Sequence, residues 1–255
     1  MTDFRVAIPA RFAASRLPGK PLRLLAGRPM IEHVHRRAVE SGASSVVVAT
    51  DDDRIRAAVE AFGGRAVLTS PDLPSGTDRI AAVAASEGWP DDDLVVNLQG
   101  DEPCMPPAAV RRAAELLAAR PDAGVATLAV PVVEPDELFD PSAVKVVLDD
   151  AGLARWFSRA PIPWVRDDFD PSLLPRSLPP GVPFLRHLGI YAYRVGVLRR
   201  LTAAPVHAYE RAESLEQLRA VAMGIAIAVE VLQKAPPRGV DTEDDLARAE
   251  AALAT

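Results

Sequence analysis

The chain has 255 residues, 49% of them hydrophobic and 25% charged, with a net charge of −6 and a single cysteine. That balance suits one large α/β domain or a domain with a sizeable insertion. It excludes a general nucleic-acid surface, which needs a basic face, and a disulfide framework or cysteine-rich zinc site. No apolar run approaches the roughly 20 residues that span a bilayer. The first residues show no basic region followed by an apolar stretch, so a cytoplasmic protein is expected.

Residues 6–10 read as a short first strand stopped by Pro9-Ala10. A long loop follows, with Arg11, Arg16 and Lys20 inside ten residues and a Pro-Gly turn at Pro18-Gly19. Ile31, Val34, Ala38 and Val39 share one helical face, and Gly42 is placed as the stop. Residues 46–50 read as a buried strand, and Asp51-Asp52-Asp53 begins the next helix with charge suited to its N-terminus. A strand at 66–69, a helix from Ser75-Gly76-Thr77 to Ala85, a strand at 94–98, a helix over 106–119 and a strand at 124–130 complete an alternation that implies βαβ units and a mostly parallel sheet.

After Pro131 the rhythm changes. Residues 143–148 and 153–157 predict a β-hairpin, and seven prolines between 161 and 183 predict an extended surface loop. A strand at 187–193, helices over 195–201 and 209–223, and a strand at 225–231 follow. Thr242 and Asp245 have capping-box spacing at the start of a last helix. Residues 132–224 are expected to form an inserted subdomain within a single domain spanning 1–255.

The stretch Leu94-Val95-Val96-Asn97-Leu98-Gln99-Gly100-Asp101-Glu102-Pro103 ends a central strand in an acidic pair. Ligands collect outside the carboxyl ends of such strands. A carboxylate released there can hold a hard cation, or simply cap a helix. Gly100 would let the backbone turn beside a bulky anion. Asp241 has the same setting, and the two could share Mg²⁺ with substrate phosphates. The basic loop suits a triphosphate or is a solvated loop; it is neither a Walker A loop nor a dinucleotide fingerprint. Ser75-Gly76-Thr77 could turn helix amides toward a ligand or serve as a plain N-cap. Standing alone, His187 reads as a structural histidine and Glu216-Gln217 as a solvated face.

Taken in order, these segments resemble the 3-deoxy-manno-octulosonate (Kdo) cytidylyltransferases, or CMP-Kdo synthetases, within the sugar nucleotidyltransferases. The resemblance is carried by Pro9-Ala10-Arg11 with Ser15-Arg16-Leu17-Pro18-Gly19-Lys20-Pro21-Leu22, then Ala49-Thr50-Asp51, Ser75-Gly76-Thr77-Asp78-Arg79 and Asn97-Leu98-Gln99-Gly100-Asp101-Glu102-Pro103. Ala143-Val144-Lys145-Val146, Phe157-Ser158-Arg159-Ala160-Pro161-Ile162-Pro163-Trp164, His187-Leu188-Gly189-Ile190-Tyr191, Leu215-Glu216-Gln217-Leu218-Arg219 and Gly239-Val240-Asp241-Thr242 continue it.

The resemblance implies an α/β fold with a Rossmann-like, mostly parallel sheet of the nucleotide-diphospho-sugar transferase type. The inserted β-hairpin/helix subdomain would serve sugar binding and dimerisation. The implied reaction joins CTP and Kdo to give CMP-Kdo and pyrophosphate. Pro9, Ala10, Arg11, Arg16, Lys20, Ser75, Gly76, Thr77, Arg79 and Asp101 would hold the nucleotide. Asp101 and Asp241 would hold Mg²⁺ and, with Arg16 and Lys20, carry catalysis. Gln99, Arg159, His187, Tyr191, Glu216 and Gln217 would surround the sugar acid, with Arg159 pairing bidentately with its carboxylate. The implied partners are CTP, an acidic eight-carbon sugar and a second copy of the chain, with no nucleic acid and no membrane insertion. Phe12 and Ala14 depart from the Tyr and hydroxyl residue common there. The alternatives are the same chemistry on 8-amino-Kdo or a sialic acid, and a catalytically silent nucleotide-binding protein. A nicotinamide dehydrogenase is disfavoured by the missing glycine fingerprint.

Overall fold

The computed structural model describes residues 2–13 and 17–253; Ala14, Ser15 and the predicted phosphate ligand Arg16 lie outside the described residues. The chain begins with β1 (Arg5–Ala10), the short strands β2 (Leu24–Leu25) and β3 (Arg28–Pro29), α1 (Met30–Glu40), β4 (Ser45–Thr50) and α2 (Asp53–Ala61). Then come β5 (Ala66–Leu68), α3 (Gly76–Ser86), β6 (Leu94–Asn97), α4 (Pro107–Ala119), β7 (Val125–Pro131) and α5 (Pro135–Phe139). The remainder is β8 (Lys145–Leu148), β9 (Ala154–Ser158), β10 (Leu185–Arg194), α6 (Val195–Ala203), α7 (Ala208–Glu213), α8 (Gln217–Ala222), β11 (Ile227–Val231) and α9 (Glu243–Leu253).

The main sheet runs β11-β7-β10-β6-β1-β4-β5, with the β8–β9 hairpin joined to β10. Every neighbouring pair along that path is parallel except the two that β10 makes. The expected mostly parallel α/β sheet is therefore present, built as three layers. Strand residues alternate between two cores: Val6, Ile8 and Val96 pack with α1, α2 and α4, while Ala7 and Val95 pack with α3, α6 and α8. Strands buried on both faces read as unbroken apolar runs, which is why β1, β4 and β6 were so visible in sequence. No helix among the described residues is long and apolar enough to cross a membrane.

Three local expectations need correction. Val39 is 53% exposed, so the buried face of α1 is Met30, Ile31, Val34 and Ala38. The helix expected over 209–223 splits into α7 and α8, because Ser214 adopts a left-handed conformation (φ 51°). The Pro-rich stretch is not merely extended: Phe169 and Phe184 form a small core with Val132 and Leu138. At Gly100 the structure adds a packing reason for glycine, since a Cβ there would lie 2.7 Å from the Pro9 carbonyl oxygen.

The segment 132–224 also delivers a strand to the middle of the main sheet. β10 pairs with β6 over Tyr191 to Arg194 and with β7 along nearly its whole length. Since Tyr191 stands opposite Asn97, the last residue of β6, residues 185–190 run on past the carboxyl end of that strand. They form a wall beside the sheet edge where β1 and β6, the strands at the change of direction in strand order, both end.

Candidate active site

A cleft of about 610 Å³ opens at that edge. Its floor is the exit of β6. Asn97 and Gln99 hydrogen-bond side chain to side chain, Gln99 Nε2 donating to Asn97 Oδ1 at 3.3 Å. Beyond Gly100 the chain turns through Asp101 and Glu102, and both line the cleft.

Asp241 is brought to Asp101 by backbone. Val240 N–H donates to the Asp101 carbonyl (2.8 Å), and a Cβ on Gly239 would fall 2.9 Å from Glu102 Oε1. The close approach of residues 239–241 thus requires glycine at its entry. The capping-box expectation holds: the Asp245 backbone N–H donates to Thr242 Oγ1 at 3.2 Å, while Asp245 Oδ2 accepts from Thr242 N (2.9 Å) and Asp241 N (3.1 Å). The cap that starts α9 therefore also fixes the backbone of Asp241.

Lys20 completes this corner from the opening loop. That loop is closed by Gly19 N–H donating to the Phe12 carbonyl (3.0 Å), with Gly19 at φ 68° and the Phe12 ring where a Cβ would otherwise sit. Lys20 Nζ then donates to Asp101 Oδ2 (2.8 Å), Asp241 Oδ1 (3.1 Å) and the Val240 carbonyl (2.9 Å). Burial pulls the lysine pKa down, but the charges and hydrogen bonds of Asp101 and Asp241 outweigh it and hold the ammonium charged. Among the described residues Glu102 makes no ion pair. Burial, then the charges of Asp101 and Asp241, push its carboxyl up to about 8.

The convergence of Asp101 and Asp241 on one ammonium tests the metal expectation. The lysine shows that both carboxylates can face a single cation. Among the described residues no group of three or more ligating side chains forms, and a two-carboxylate set that leaves other positions to phosphates and water is what Mg²⁺ takes. The donor set fits.

The other wall comes from β10 and α8. His187 Nε2 lies 2.9 Å from Thr127 Oγ1, whose hydroxyl reaches the Leu188 and Ile190 carbonyls (3.1 and 2.7 Å). With the threonine proton directed to a carbonyl, Nε2 is the donor to Thr127 and Nδ1 the free acceptor. Burial, with Arg186 adding to it, pushes the imidazole down to about 3, so it is neutral at pH 7. The ring packs on Tyr191 at 5.1 Å, and Tyr191 stacks on Tyr193. Glu216 and Gln217 enter the cleft just after the helix break, with Glu216 Oε2 accepting from Thr77 Oγ1 at 2.6 Å. Arg219 anchors that turn, its guanidinium bound bidentately to Glu210 (2.8 and 2.5 Å) and to the Leu201 carbonyl (2.9 Å).

Of the expected residues, Gly76, Thr77, Gln99, Asp101, His187, Tyr191, Glu216, Gln217 and Asp241 line this one cleft. Lys20 joins it through its carboxylate partners. Pro9 abuts Gly76, at 3.1 Å from the position of a Cβ there, and Ala10 is buried beside Gly100. Arg11 donates to the Leu73 carbonyl, tying the opening loop to the turn before α3. Ser75 is spent on capping: its hydroxyl donates to Asp78 Oδ2 (2.6 Å) and accepts from Asp78 N (3.2 Å).

Like Arg11, the expected Arg79 and Arg159 are not among the residues lining the cleft. Arg79 is fully buried, its guanidinium 2.8 Å from Asp51 Oδ2. Arg159 donates to three backbone carbonyls: Glu213 (2.7 Å), Pro141 (2.9 Å) and Ser214 (3.4 Å). Sequence reasoning missed Glu102, Tyr193, Arg186 and Arg238, all of which line it. A charged residue next to His187 in a strand of apolar residues was the available signal for Arg186.

The geometry has counterparts among known proteins. A family model described as cytidylyltransferase matches residues 6–227. A 3-deoxy-manno-octulosonate cytidylyltransferase of Hahella chejuensis is 53% identical, over 100% of this chain and 99% of its own. One of the same name from Halorhodospira halophila is 56% identical over 95% and 94%. A solved structure, a CMP:2-keto-3-deoxy-manno-octonic acid synthetase complexed with CTP, superposes with a TM-score of 0.89 at 41% identity, covering 99% of this chain and 98% of that one. A cytidylyltransferase of Leptospira borgpetersenii shares the fold alone, at TM-score 0.62 and 14% identity. The chain belongs to the 3-deoxy-manno-octulosonate cytidylyltransferase family and is a nucleotidyltransferase.

Proposed function

We propose that the chain transfers CMP from CTP to the 2-hydroxyl of Kdo, releasing pyrophosphate, in a Mg²⁺-assisted reaction. The observation that carries this reading is the joining of Asp101 and Asp241 at one ammonium, on the edge of a cleft whose far wall is His187 and Tyr191. The oxygen of the anomeric hydroxyl forms a bond to the α-phosphorus, and the bond from that phosphorus to the bridging oxygen breaks. Pyrophosphate leaves, and no covalent bond to the protein is needed. Mg²⁺ held by Asp101 and Asp241 would lower the pKa of the attacking hydroxyl and offset phosphate charge. Lys20, and Arg16 from the same loop, stabilise charge developing toward pyrophosphate. The neutral His187 offers an acceptor to a sugar hydroxyl, and Glu216 and Gln217 supply further hydrogen-bonding groups.

The nucleotide substrate suits a reaction in the cytoplasm. Exposed apolar side chains on the inserted segment, Val133, Trp164, Leu173 and Leu174, support a homodimer formed through it; light scattering should give twice the mass of one chain.

The test is pyrophosphate release from CTP with Mg²⁺ and, in separate reactions, Kdo, 8-amino-Kdo or a sialic acid. Release with Kdo that EDTA abolishes is the expected result. Release with another acid alone would move the substrate, and CTP binding with no release from any acid would favour a silent nucleotide-binding protein.

A further inference from the structure

Lys145 plays no part in the proposed chemistry, yet its side chain is fully buried (0% exposed) at the start of β8. Lysine is almost never fully buried without a partner, because its amine must keep its hydrogen bonds when it leaves water. Here the partners are backbone: Nζ donates to the Asp140 carbonyl (2.8 Å) and to the Arg159 carbonyl (2.6 Å). The lysine therefore ties the loop before β8 to the loop after β9.

Arg159 carries the tie onward. Its guanidinium donates to the carbonyls of Glu213, Pro141 and Ser214. The Glu213 carboxylate returns to the Arg159 backbone N–H (2.9 Å) and the Ser158 hydroxyl (2.6 Å). Three segments far apart in sequence, at 140–141, 158–159 and 213–214, are thus closed into one clasp. What the clasp grips is a strained turn. Ser214 has φ 51°, a conformation that costs a non-glycine residue free energy and persists only where its surroundings over-determine it. Residues 214–217 run from that turn along the cleft, and residues 142–144 line the cleft as well.

We infer that Lys145 is a positioning residue for the acceptor half of the reaction: it holds the Arg159 backbone, and the clasp built on Arg159 fixes the turn that presents Glu216 and Gln217. The inference rests on the proposed use of those two residues toward the sugar. The rival reading is a lysine that only stabilises the β8–β9 hairpin, and the two differ in what a variant loses.

Lys145→Met keeps most of the apolar stem and removes the donors. Amide hydrogen exchange read by mass spectrometry should become faster in peptides covering 140–144 and 211–219, with β1 and β6 protected as in wild type. The kcat/KM for Kdo should fall about 10- to 100-fold, the scale on which a small misplacement of a positioned group acts, with most of the loss in KM. CTP affinity by calorimetry should be unchanged. Glu213→Ala opens the same clasp at a half-buried position and should reproduce both changes in smaller measure; it decides the matter if Lys145→Met does not fold. A lower melting temperature with wild-type kcat/KM for Kdo, or exchange that rises evenly over the whole chain, would overturn the assignment. Exchange needs no sugar, so wild type that binds CTP but turns over no Kdo would overturn the proposed function while the clasp is still decided.

Discussion

Arg219–Glu210 and Lys20–Asp101–Asp241 are both partly or wholly buried ionic clusters, and they differ in how far their carboxylates are exposed. Arg219 and Glu210 are 10% and 8% exposed, matched one to one, and joined by two parallel hydrogen bonds. The remaining reach of the guanidinium is taken up by the Leu201 and Ala204 carbonyls. At the cleft, one ammonium 12% exposed faces two carboxylates that are 33% and 47% exposed, with the buried Glu102 close by. The first arrangement is closed and holds the turn before α8. The second gathers two partly exposed carboxylates on one ammonium at the edge of a cleft, where a ligand from solvent can reach them.

The largest effect should follow from breaking the open cluster. Asp101→Asn removes one of two carboxylates that would hold Mg²⁺, and kcat should fall by at least about 10³-fold, the scale on which losing one transition-state charge stabiliser acts. Circular dichroism and melting temperature should stay close to wild type, because Lys20 keeps Asp241 as a partner. Near-normal turnover would sink the metal assignment. Breaking the closed pair should do the reverse. Arg219→Ala strands Glu210 in the interior, and denaturant unfolding should show a loss of about 3–5 kcal/mol. A loss below about 1 kcal/mol would mean that Glu210 finds water.

The same contrast explains what could be read before the structure. Asp101 and Asp241 were legible because each follows an apolar residue at a strand end, and a parallel sheet gathers such ends along one edge. Ser75 and Thr242 were legible as caps because capping is local. Arg79 was not, because its partner Asp51 is 28 positions away in sequence and a charged helical residue ordinarily faces water. Nor was the break at Ser214, a left-handed serine that no local pattern marks. The engagement of Arg159 by backbone carbonyls was hidden for a similar reason. Which guanidinium is consumed by backbone carbonyls depends on how the segments at 141 and 213–214 fold against β9, and that pairing is long-range.

A smaller, pH-dependent effect should come from His187. Its folded pKa, about 3, lies below the ordinary value near 6.5, so below pH 6.5 the unfolded chain binds a proton that the native protein does not. Stability should therefore be fully present above about pH 6.5 and decline as the pH falls toward 3. His187→Gln should flatten that decline in melts recorded between pH 4 and 7. An unchanged slope would mean that the imidazole is solvated in the native state.

The smallest effect belongs to the cap of α9. Thr242→Ala removes the hydroxyl that accepts from Asp245 N and donates to Asp245 Oδ2 (2.7 Å). An N-cap is worth about 1 kcal/mol, or a fall in melting temperature of about 2–4 °C at this chain length. Turnover should nevertheless survive, because Asp245 Oδ2 still accepts from the backbone N–H groups of Asp241 and Thr242 and so keeps Asp241 in place. A kcat loss out of proportion to that small change in stability would show that the cap does more than start a helix, holding the Asp241 carboxylate in register with Asp101. Asp245→Ala, which removes the acceptor as well, should then lose still more activity than Thr242→Ala.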